Sequence, residues 1–179
     1  MRYVALLRGV NVGGKNKISM AELRICLQKL GFNEVSTFLN SGNALFSTSE
    51  SDTKKLSKQI EEALTDNFTF ESELIKVLVV SQKDLKEVIE QMPKGFAGEP
   101  EKYYSDIIFL IDISAEAAFS ETECHPEVDK AWQGKNVIYY QRLGEKRTKS
   151  RLTKIIGKPI YKSMTIRTFN TVKKLFEQM

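Results

Sequence analysis

The order of apolar runs in the first half of the chain limits its fold more than any other feature: strand, helix, strand, strand, helix, strand. Tyr3 to Leu7 is a short apolar run that ends at Arg8 and a glycine-rich loop. Ser19-Met20-Ala21-Glu22 reads as a capping box, and Met20, Leu23, Leu27 and Leu30 then recur at helical spacing until Gly31 stops the helix. Val35 to Leu39 and Asn43 to Ser47 have strand composition and flank Asn40-Ser41-Gly42, where Gly42 suits a tight hairpin. A helix near residues 52–66 carries Leu56, Ile60, Ala63 and Leu64 on one side, and Glu73 to Val80 is β-branched and apolar enough for a fourth strand. This order predicts an α+β fold with a ferredoxin-like (βαββαβ) first part.

The second half is expected to be an α/β subdomain of similar type. Ser81 caps a helix bearing Leu85, Val88, Ile89 and Met92. The stretch from Pro93 onward, rich in Gly and Pro, reads as a linker, giving an N-terminal subdomain over 1–92, a linker over 93–103 and a basic subdomain over 104–179. Beyond it the sequence predicts a strand at Ile107 to Ile111, an acidic and less regular segment from Ser114 to Asp129, and a strand at Val137 to Gln141. A basic helix near 149–157, a short strand around Ile160, and a final helix capped by Thr168 follow.

Charge separates the halves. Residues 130–179 carry 13 Lys/Arg against Glu145 and Glu177, a net of +11, whereas the first 129 residues carry a net of −7. A field of this kind attracts phosphate-bearing partners without choosing among them. Arg147, Lys149, Arg151, Lys154 and Arg167 are the expected basic surface, with Tyr139, Tyr140 and Tyr161 close in sequence for base stacking. Equally, such a run serves as a solvated face or pairs with acidic residues of the earlier part.

The loop Gly9-Val10-Asn11-Val12-Gly13-Gly14-Lys15-Asn16 spells a near match to a phosphate-binding P-loop. Asn16 stands where a magnesium-ligating Ser/Thr is required, and the helix begins only near Ser19, so nucleotide hydrolysis is not expected. A looser anion site is expected from Arg8, Asn11, Gly13, Gly14, Lys15 and Lys17, with Asn40, Ser41 and Asn43 as further ligand-binding candidates. Both strings also serve as plain turns. Ser41 lacks a nucleophile-elbow frame, and Cys124-His125-Pro126 has too few companion ligands for a metal, so neither a serine hydrolase nor a metal site is expected and no cofactor is implied. Two cysteines exclude a disulfide framework, and no apolar run approaches the roughly 20 residues of a membrane span, so a cytoplasmic protein is expected.

The strings LRGVNVGGKNKISMAELR at 7–24, TFLNSGNALF at 37–46 and TIRTFNTVKKL at 165–175 resemble a widespread bacterial family whose members carry only a domain-of-unknown-function label. Arg8, Gly9, Asn11, Gly13, Gly14, Met20, Ser41, Gly42 and Asn43 stand where that family's pattern places them; Arg167-Thr168-Phe169-Asn170-Thr171 departs from the family's Arg-Asn-Trp run. The resemblance implies an α+β protein and no activity. Three readings follow: a protein binding a nucleotide or nucleic acid through the loop and the basic surface, an enzyme acting on a small phosphorylated or carboxylated metabolite, and a protein-interaction module. Whether the chain is an enzyme, and its oligomeric state, stay open.

Overall fold

A computed structural model describes residues 1–71 and 75–179. The period-2 and helical patterns of the first half resolve into β1 (Arg2–Arg8), α1 (Met20–Lys29), β2 (Asn33–Thr37), β3 (Asn43–Ser47), α2 (Thr53–Asn67) and β4 (Lys76–Ser81). Ser19 caps α1, accepting from the Glu22 N–H at 3.4 Å, and Asp52 caps α2 by accepting from the N–H groups of Lys54 and Lys55. Glu73 and Leu74, at the head of the expected fourth strand, lie outside the described residues.

The strands form an antiparallel sheet in the order β2-β3-β1-β4. This is the split βαβ order expected from the sequence: β1 lies between β3 and β4, with Val4 opposite Leu45 on one side and Val80 on the other. Alternate strand residues Tyr3, Ala5, Leu7, Ala44, Phe46, Val77 and Val79 share one core with Leu23 and Leu27 of α1 and Leu56, Ile60 and Leu64 of α2.

The remaining elements are α3 (Gln82–Glu90), β5 (Tyr103–Leu110), α4 (Ala115–Ser120), β6 (Asp129–Gln133), β7 (Val137–Leu143), α5 (Leu152–Ile156), β8 (Met164–Thr168) and α6 (Phe169–Glu177). Their strands repeat the first plan in a second antiparallel sheet, β6-β7-β5-β8, whose core holds Ile108, Leu110, Ile138, Tyr140 and Met164 with Ala118, Leu152 and Ile155. The chain divides into two units, Met1–Leu85 with Leu175–Met179, and Lys86–Lys174. Within the second, Phe96 is buried, with its ring edge-on to those of Trp132, Tyr139 and Phe169.

Three local expectations change. The segment after Ser114 is not wholly irregular: Ser114 caps α4, and Asp129 opens an edge strand paired with β7. The basic helix shortens to α5, five residues, because a 3-10 turn over Gly144–Lys149 precedes it and Ser150 interrupts the two. Around Ile160 the chain forms a 3-10 turn, Pro159–Ser163, in place of a strand, since proline's fixed φ suits a helical first turn. The strand follows it, at Met164–Thr168.

Candidate functional site

The glycine loop is a small hairpin. Gly13 (φ +60°) and Gly14 (φ +79°) are consecutive left-handed residues, the requirement of a type I′ turn, and Val12 and Lys15 pair across it. The Lys15 N–H donates to the Val12 carbonyl at 3.1 Å and the Asn11 N–H to the Asn16 carbonyl at 3.1 Å. Those two amides are therefore engaged within the loop, and the expected cradle of loop amides loses them as anion donors. The resemblance to a P-loop is one of letters: there the loop runs straight into its helix, whereas here Asn16, Lys17, Ile18 and the cap Ser19 intervene.

Two asparagines hold the hairpin in place. Asn16 is buried, donating its amide to the Gly9 carbonyl and accepting from the Glu71 N–H, both at 2.9 Å. Asn11 accepts from the Ile18 N–H at 2.8 Å and donates to the carbonyls of Ile18 (3.0 Å) and Asn40 (2.9 Å). With both amide hydrogens and the oxygen engaged, Asn11 is an organiser of the site, not a free ligand-binding group. Its bond to Asn40 brings the two polar turns together.

The second turn is equally specified. Asn43 is fully buried in β3 and donates to the Phe38 carbonyl at 2.9 Å and to Ser41 Oγ at 3.0 Å. Gly42 is required twice over: its φ is +73°, and a Cβ there would lie 2.5 Å from Val10 Cγ2 and 2.8 Å from Leu7 Cβ.

Where the turns meet, Asn11, Gly14, Lys17, Ser19, Met20 and Asn40 line an open cleft of about 450 Å³. The N-terminus of α1 opens into it; Ser19 accepts from the N–H groups of Glu22 and Leu23, so the first-turn N–H groups of Met20 and Ala21 are the ones without an intrahelical partner. Lys17 is exposed and, like Lys15, forms no ion pair among the described residues. Arg8, half-buried at the end of β1 opposite Lys76, Ser41 and Asn43 do not line the cleft. Ser19 and Met20 were not candidates from the sequence; the cap signal at Ser19 marks a helix start, which is also an anion-binding position, and so held the clue.

The expected basic surface is divided. Arg167 is not on it: only 8% exposed, it donates to Thr165 Oγ1 and the Ile166 carbonyl, both at 2.9 Å, and burial lowers its pKa to about 10. Lys154 pairs with Glu123 (3.5 Å), Lys146 with Glu127 (3.5 Å), and Lys158 with Glu121 and Glu123 (both 3.2 Å). Lys158's hydrogen bond, with Lys154 and Lys158 as nearby charges, holds Glu123 below the usual carboxylate range. The Arg151 guanidinium donates to the Cys124 carbonyl at 3.4 Å. Arg147 lies over the Tyr104 ring at 4.9 Å from its centroid, and Lys149 is exposed.

Cys124 and His125 belong to a turn tied by Asp129. Its Oδ2 accepts from the N–H groups of His125 (2.9 Å) and Arg151 (2.8 Å), while Oδ1 is buried without a hydrogen-bond partner among the described residues. Burial pushes the Asp129 carboxyl up, but the hydrogen bonds from Arg151 and His125 outweigh it and hold the pKa below its ordinary value. Burial pushes the Cys124 thiol up, which opposes thiolate chemistry. Among the described residues no three His, Cys, Asp or Glu side chains come together as a metal site, and no helix is long and apolar enough to cross a membrane.

Residues 1–139 match the family described as "Protein of unknown function (DUF1697)", and the chain belongs to that family. Its structure is similar to that of a conserved bacterial protein, SP0830, from Streptococcus pneumoniae, with a TM-score of 0.81 and 27% identity over 99% of this chain and 97% of that one. No curated protein matches the chain.

Proposed function

We propose that the protein binds a small phosphate- or carboxylate-bearing ligand, of nucleotide size or less, in the cleft at the N-terminus of α1. The observation that carries this reading is the convergence of the glycine hairpin and the Asn40 turn around the unpaired cation Lys17 and the opening of α1. Helix N-terminal amides and an ammonium together favour an anion, and the rigid hairpin supplies a wall that does not have to be ordered on binding. The tail lysines are not part of this cleft site: Lys146, Lys154 and Lys158 face the carboxylates of Glu121, Glu123 and Glu127. The reading is one of ligand binding, with Ser19 Oγ accepting from the Glu22 N–H as the helix cap.

The test is a thermal-shift and calorimetric titration with inorganic phosphate, adenosine monophosphate and succinate at low and moderate salt. At least one should stabilise the wild type, by about 2.7 kcal/mol at a hundredfold excess over Kd. Lys17→Ala should lose that shift while Arg147→Ala keeps it. Silence from all three probes, or a shift that survives Lys17→Ala, overturns the proposal.

A further inference from the structure

Ion pairs in the second unit are concentrated between two segments. One is the acidic stretch from Glu121 to Glu127; the other runs from Lys146 to Lys158. Four ion pairs join them: Lys146 to Glu127, Lys154 to Glu123, and Lys158 to both Glu121 and Glu123, and Lys158 Nζ also donates to the Glu121 backbone carbonyl at 2.8 Å. Structural attachment of the two segments does not depend on these contacts. Asp129, 5% exposed, performs it by accepting backbone N–H groups from both, at His125 and Arg151. The glutamate pairs are solvent-accessible, with side-chain exposures from 27% to 71%, and pairs of that kind are screened by salt and add little to stability. The acidic segment can therefore give up its lysines at small cost.

Arg147, next in the chain to Lys146, belongs to an aromatic and cationic group. Tyr104 is 48% exposed, with Arg147 4.9 Å from its ring centroid; Arg142, at 5.9 Å, is already paired with the buried Asp106 at 2.6 Å, so Arg147 is the cation available beside the ring. Exposed aromatic rings beside cations, with further lysines alongside, are what a single-stranded nucleic acid requires: a surface for a base and a track for phosphates.

We propose that the Glu121 to Glu127 segment is an intramolecular competitor, its carboxylates occupying the lysines that would otherwise take the phosphates of a single-stranded nucleic acid. In the free protein the surface is masked; a strand of sufficient charge displaces the segment, or loss of the segment's charge opens the surface. This stands independently of the cleft at α1.

The experiment is fluorescence anisotropy with a labelled oligothymidylate on three forms of the full chain, each checked for native circular dichroism. These are the wild type, Glu121→Gln/Glu123→Gln/Glu127→Gln, and a charge-matched control, Glu62→Gln/Asp66→Asn/Glu101→Gln. The first triple variant should bind about tenfold or more tightly than wild type at low salt. Its salt dependence should be steeper, by about 0.7 in log–log slope for each phosphate contact recovered. Adding Lys154→Ala/Lys158→Ala to that variant should return binding to the wild-type level. Equal affinity in wild type and variant, an equal gain in the control, a gain that survives loss of the two lysines, or a gain seen only with phosphatidylglycerol vesicles overturns the proposal. The paired-lysine variant also keeps the test decisive if neutralising the glutamates alters the fold: Lys154→Ala/Lys158→Ala in the wild-type background should then leave the already weak binding unchanged, and a further loss overturns masking.

Discussion

The two units share a strand order and differ in which connection is elaborated. In the first, the link from β1 to α1 is long and carries the glycine hairpin, while the link from β3 to β4 is the regular, 15-residue α2. In the second the reverse holds: β5 passes to α4 through Ile111 to Ser114, and the link from β7 to β8 is broken into a 3-10 turn, α5 and another 3-10 turn. Asn11 and Asp112, each just after the first strand of its unit, adopt nearly the same left-handed φ, 54° and 55°. Asn and Asp tolerate that conformation, so both units leave their first strand through a similar bend. The lesson is that the repeated sheet is the constant, and the polar chemistry sits in whichever connection is free to lengthen.

The deepest test of that equivalence is in the cores. Leu27→Ala in the first unit and Ile108→Ala in the second both remove a fully buried side chain and should each cost about 2–5 kcal/mol. Chemical denaturation measures the cost, and hydrogen exchange shows whether each loss stays within its own unit; a small effect in one alone would break the parallel. Next come the turns. Gly42→Ala combines an unfavourable φ with a blocked Cβ and should cost about 2–4 kcal/mol. Gly134→Ala, between β6 and β7, meets Tyr139 Cε2 and Val137 Cγ2 at 2.8 Å and should cost about 1–3 kcal/mol, whereas Gly14→Ala has open space and only the φ penalty, about 1–2 kcal/mol. Thermal melts of the three should rank in that order. Asp129 sharpens the contrast between the two loops. Asp129→Ala leaves two backbone N–H groups without their acceptor and should cost about 1–3 kcal/mol at pH 7. Because its folded pKa lies below the unfolded value of about 3.9, its ionised form stabilises the fold above that pH, and the contribution is lost as pH falls toward the folded pKa. Asp129→Asn should accordingly flatten this acid limb in denaturation measured as a function of pH, leaving the neutral-pH region level.

Strong local signals were legible in the sequence. Ser19, Gly31 and Thr168 act where their chemistry places them: Ser19 caps α1, Gly31 takes a left-handed φ after it, and the Thr171 N–H donates to Thr168 Oγ1 at 3.3 Å. β6 was not legible, because Asp129-Lys130-Ala131-Trp132-Gln133 lacks a strong strand composition and is held extended by its pairing to β7. The site was legible in part. Asn11 and Asn40 come together as neighbours of a cleft, but Asn11 turns inward to hold the loop, and Lys17 and Ser19 are left facing the opening. Arg167 looked like surface charge because residues around it are basic; only strand pairing reveals that its side of β8 is buried.

The sequence by itself determined the α+β class, the strand and helix order of the first unit, the membership of its family and the polarity of its charge. The family rests on its motif strings and their match over residues 1–139; the other features rest on periodicity, capping and composition, which act over a few residues. Tertiary structure decided which asparagine is structural, which lysines keep their charge unpaired and where the cleft opens. Each of these depends on which backbone carbonyl or carboxylate a distant turn delivers, and a chain's local pattern does not contain that information.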